Sequence, residues 1–175
     1  MGIYEFEGKR PRIDEAAYVH PEAVVLGSVT IGKKCYIGPG AVLRADFGDI
    51  FVGDGSNIQE NCVLHASHVQ PIVIEENVIV AHGVLLHDNI VKRGAFIGMG
   101  AVLLHGAVVE EEAVVAAGSM VAHNYVVPRR KIVAGNPARV VKAVSEEMVE
   151  ATRLGLAAYQ ELPERYRKGC IRIDV

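Results

Sequence analysis

Three histidines, His65, His82 and His87, carry the most chemistry in this chain. Imidazole is the commonest metal ligand, and three of them around a tetrahedral ion leave a fourth position open for water. Polar residues gather nearby: Arg44 and Asp46, then Asn57, Gln59 and Glu60. Asn57 and Gln59 are poor strand formers beside Val and Ile, and they suit the orientation of a water or a small polar substrate. Asp46 and Arg44 suit an ion pair, expected across a subunit interface. His105 and His123 are 18 residues apart and each follows an aliphatic residue by two places, but without polar company. They read as surface or interface residues. His20 and His68 carry no pattern beyond their positions.

A repeat must position these side chains. Aliphatic residues recur every six positions from Ile13 to Leu43, at Val52, Ile58 and Leu64, and at Ile74, Val80 and Leu86. After a five-residue step they continue from Val91 to Val133, which makes 20 hexads. A small or aliphatic residue commonly lies four places further on, and Gly often follows the aliphatic one, as in Ile31-Gly32 and Ile97-Gly98. Short β-branched runs punctuated by Gly predict short strands and tight turns. One hexad cannot bury its apolar face alone, whereas stacked coils can.

The pattern resembles the hexapeptide-repeat proteins over residues 11–138. That resemblance implies an all-β solenoid, a left-handed parallel β-helix with three hexads in each triangular coil. Leu64 and Leu86 then open hexads one coil apart, so His65 and His87 stack about 4.8 Å apart at the backbone. Arg44 joins that column one coil earlier. His82 belongs to an adjacent side and points away. The expectation is a metal shared between subunits, with His82 supplied by a neighbour and three copies closing a ring.

The remaining features bound the reading. Half of the 175 residues are apolar but only 6% are aromatic, which suits narrow stacked layers. The net charge of −3 has no basic run, so neither nucleic acid nor an anionic membrane is an expected partner. The polar start of the chain and its three unpaired cysteines fit a reducing cytoplasm. One domain over residues 1–175 is expected, with a helix over 144–161 that ends before Pro163. Ser145 would cap it, and Val144, Met148, Ala151, Gly155, Ala158 and Leu162 would form its apolar stripe. Tyr159 on that helix is a candidate for the active site.

The histidine triplet with Arg44, Asp46, Asn57, Gln59 and Glu60 resembles the γ-class carbonic anhydrases, in particular the shorter subgroup that includes the phenylacetate-operon protein. The resemblance implies a homotrimer and metal ligands at His65, His82 and His87. It implies Zn²⁺, or Fe²⁺ or Co²⁺, and hydration of CO₂ to bicarbonate by a metal-bound hydroxide. Gln59 would lie by the hydroxide, with Asn57, Glu60 and Tyr159 around it. Phe47 stands where the best-known member has a glutamate, and the loop after His65 is short, with His68 nearby as a candidate proton shuttle. The alternative on the same solenoid is an acyltransferase or thioesterase acting on a coenzyme A ester, with one histidine as general base. A third reading is a catalytically silent scaffold.

Overall fold

A computed structural model describes residues 2–173. The hexads form short parallel strands stacked into a triangular prism. One face carries the column Leu43, Leu64, Leu86, Leu103 and Val121 in direct register. A second face carries Ile72–Ile74, Ile90–Val91, Val108–Val109 and Val126–Val127. The third begins at Tyr18–Val19 and climbs through Tyr36–Ile37, Asn57–Ile58, Ile79–Val80, Phe96–Ile97 and Val114–Val115 to Lys131–Gly135. There the chain turns back, and Ala138–Ala143 adds an antiparallel strand.

Period and burial agree. The aliphatic residue of each coil points inward and is shut off from solvent, as at Ile37, Leu43, Ile58, Leu64 and Ile97. The small residue four places later fills the next corner, as at Ala41, Cys62 and Ala101. Burial pushes the Cys35 thiol up to about 12 and the Cys62 thiol up to about 11, so neither is a ready nucleophile.

Both phase slips of the repeat fall at one edge of the prism. Strand Val42–Val52 runs round this edge from the first face to the second. One coil later, residues 66–71 make the same passage. The coils are so close here that a Cβ on Gly48 would lie 2.2 Å from the Ser67 carbonyl oxygen. The five-residue step from Leu86 to Val91 passes the same edge, with Asp88 left-handed at φ 55°.

The helix runs Glu146–Gly169, further than expected. Ser145 accepts from the Met148 amide, and Glu146 and Glu147 occupy the first turn. Pro163 does not end the helix; it lies inside it and is buried. The reason is span. Seven stacked strands rise roughly 29 Å, and a 24-residue helix extends about 36 Å, whereas 18 residues reach only about 27 Å. The extra turns bring Tyr166 against Tyr18 and Tyr36, and Arg167 to the carbonyls of Glu15 and Ala17 at 2.5 Å each. Of the expected stripe, Val144 is buried and Met148 packs beside it, whereas Ala151, Gly155 and Ala158 stay exposed; Leu156 and Pro163 are buried as well.

Candidate functional site

The chemistry-bearing side chains gather at two edges of the first face, and the three histidines do not meet within one chain. His65 and His87 lie at the edge with the loops, in register with each other and with Arg44. Their rings are 5.1 Å apart between centroids. His82 follows Ile79–Val80 at the opposite edge. The metal set implied by the resemblance is therefore not assembled by a single chain.

At the looped edge, Arg44 donates to Asp46 Oδ2 at 2.7 Å within the chain. Asp46 Oδ1 also lies 3.2 Å from His65 Nε2. Burial would raise the Asp46 carboxyl, but the Arg44 guanidinium holds it below its ordinary value. Burial holds the His65 imidazole below its ordinary value, aided by Arg44 and His87 against the pull of Asp46. Phe47 packs against His68 with the rings tilted by 32° and centroids 4.6 Å apart.

His105 does not lack polar company. Its Nδ1 is 2.7 Å from Asp88 Oδ2, and His87 Nδ1 is 3.2 Å from the same oxygen. Asp88 is fully buried and accepts from the Ser67 amide and hydroxyl at 2.6 Å each. Burial opposes its charge, yet these donors hold its carboxyl below the ordinary value. Asp88 and His105 each follow an inward aliphatic residue, Leu86 and Leu103, by two places. That shared offset was the signal for their meeting.

The other edge is half roofed by the helix. His82 Nδ1 lies 2.5 Å from Glu60 Oε2, and the Tyr36 hydroxyl donates to Glu60 Oε1 at 3.1 Å. Glu60 and His82 also share an offset, two places after Ile58 and Val80, one coil apart. Gln59 donates to Asn57 Oδ1 at 2.9 Å. Both amides are buried. A cleft of about 410 Å³ opens between helix and prism, with Gln59, His82 and Tyr159 among apolar walls from Ile79, Phe96, Met99 and Met148. Tyr159 thus reaches the site, its ring 5.8 Å from Tyr36. Burial, with Glu60 and Tyr166 nearby, raises its phenol above the ordinary value, so it stays a donor at neutral pH.

The comparisons decide between the families. The bacterial transferase hexapeptide (six repeats) family matches residues 10–45. The carnitine operon protein CaiE of a Proteus species is 39% identical over 98% of this chain and 87% of its own. The chain belongs to the hexapeptide-repeat, left-handed β-helix family. A Bacillus cereus structure assigned as an acetyltransferase superposes with a TM-score of 0.93 at 32% identity, covering 95% of this chain and 96% of that one. A hexapeptide transferase family protein from Anaplasma phagocytophilum gives 0.91 at 33%, covering 94% and 98%.

These findings overturn the carbonic anhydrase expectation, together with its lyase class, its CO₂ substrate and its zinc-bound hydroxide. The relatives in hand carry a carnitine-operon name and the structures transferase names. The error has a physical origin. Histidines at coil edges are what this solenoid offers to several chemistries, and the fold does not choose among them. Among the described residues, no helix is long and apolar enough to cross a membrane.

Proposed function

We propose that this protein transfers or hydrolyses the acyl group of a coenzyme A thioester, with His82 as general base. The observation that carries this is the His82–Glu60 contact of 2.5 Å at the mouth of an apolar cleft. A carboxylate on Nδ1 fixes the tautomer and leaves Nε2 as the proton acceptor. Tyr36, donating to the other Glu60 oxygen, holds the carboxylate in place. The transferase names of the similar structures support the same class.

His82 Nε2 takes a proton from the acceptor hydroxyl, amine or water. The acceptor forms a bond to the thioester carbonyl carbon. The Tyr159 hydroxyl donates to the oxyanion, the C–S bond breaks, and the coenzyme A thiolate leaves with the proton from His82. The apolar walls suit the acyl chain and the thioester end of the ligand.

We also propose a homotrimer. Val63 and Leu85, 38% and 44% exposed, stand in register on the first face with the half-buried Val42, Val102 and Met120. A second copy seated on that apolar stripe would lie beside both edges.

The test is release of free thiol from acetyl-CoA and longer acyl-CoAs, with water, amines and carnitine as acceptors. Carnitine offers a secondary hydroxyl, and the curated relatives are named for its operon. Turnover lost in His82→Ala and reduced in Glu60→Gln is expected. Turnover unchanged in His82→Ala, or no turnover with any thioester, sinks the reading.

A further inference from the structure

We propose that His87, Asp88 and His105 form a transition-metal site contained within one chain. It is independent of the His82 cleft and goes beyond acyl transfer. One donor atom from each of His87, Asp88 and His105 lies within 4.8 Å of the other two, and the residues are drawn from adjacent coils. Two imidazole nitrogens and one carboxylate oxygen are a donor set for first-row divalent ions.

The surroundings are built for such a role. Asp88 is fully buried, and its two oxygens are aimed by the Ser67 amide and hydroxyl. Donors of this kind orient a ligating carboxylate. Asn89, also buried, accepts from the His87 amide at 2.7 Å and donates to the carbonyls of Leu104 at 2.9 Å and Ala107 at 3.3 Å. One side chain therefore pins the turn that bears His87 to the turn that bears His105. The Gln70 amide holds the Asp88 carbonyl, which closes the turn from the other side.

Charge makes the case for an ion. A buried carboxylate needs a positive partner, and its charge partners here are His87 and His105. A divalent ion held between the three side chains would place positive charge directly against this buried carboxylate. The side chains of His87 and His105 are 47% and 33% exposed, so an ion would have an entry path and open positions for water.

The test is titration of chelator-treated protein with Co²⁺, followed by visible d–d absorption and calorimetry. One ion per chain is expected in the wild type and in His82→Ala, and none in His105→Ala or Asp88→Asn, with circular dichroism verifying the solenoid in each. Ser67→Ala should weaken binding about 10-fold. A wild type that binds no Co²⁺ overturns the proposal. So does binding that survives in His105→Ala but is lost in His82→Ala, since the ion would then depend on the histidine of the other edge.

Discussion

The two edges of the first face use the same device in opposite settings. Each places a carboxylate against an imidazole from the neighbouring coil: Glu60 against His82, and Asp88 against His105. At the helix edge, the carboxylate is partly exposed and the imidazole borders an apolar cleft. At the looped edge, the carboxylate is wholly buried and shared by two imidazoles that face solvent. Burial of the acid with an open base side favours capture of a cation. An open acid with a base beside an apolar wall favours proton transfer to a bound organic molecule.

The largest expected effect separates the edges directly. His82→Ala should lower acyl turnover by roughly 100- to 10,000-fold, measured as kcat/KM by thiol release, while His105→Ala leaves it within a factor of a few. Equal losses in both variants would mean that the edges act as one site.

Next comes the roof of the cleft. Leu156 is the buried leucine of the helix, and Leu156→Ala should cost about 2–4 kcal/mol in denaturant unfolding. Because the helix also carries Tyr159, KM should rise while Co²⁺ affinity at the looped edge stays unchanged.

Gly48→Ala probes the other edge. Its Cβ would meet the Ser67 carbonyl at 2.2 Å, so the coil must shift. A loss of about 1–3 kcal/mol is expected, with weaker Co²⁺ binding and unaltered thioester turnover.

The smallest effect is in pH. The folded pKa of His65 lies below its ordinary 6.5. Stability therefore holds above about that pH and declines as acid protonates the unfolded chain in preference. Asp46 and Asp88, both lowered from 3.8, stay charged further into acid and then add a second loss as pH falls through their folded values. His65→Gln should remove the first decline from a thermal-melt series and keep the second.

The solenoid was legible because twenty hexads repeat one physical requirement, an inward aliphatic residue followed by a small one. The column of Arg44, His65 and His87 followed from counting. The helix end was misread because Pro163 is a stop signal locally, while Tyr166 and Arg167 have partners that only the folded prism supplies. Asp88 was missed because the five-residue step moves the chain round its edge one residue early. The catalytic chemistry was misassigned for a different reason. The three histidines are as compatible with a base and a separate ion as with one shared metal, and spacing alone does not distinguish them.

The grip of Arg167 on the Glu15 and Ala17 carbonyls has a consequence for how the molecule comes apart. A stack of coils bound only to its neighbours can fray from either end, one rung at a time. Here the last helical turn is fastened to the first coil across 152 residues of chain. The clasp makes peeling of the first rung and release of the helix a single event, so the column should open all at once instead of unzipping.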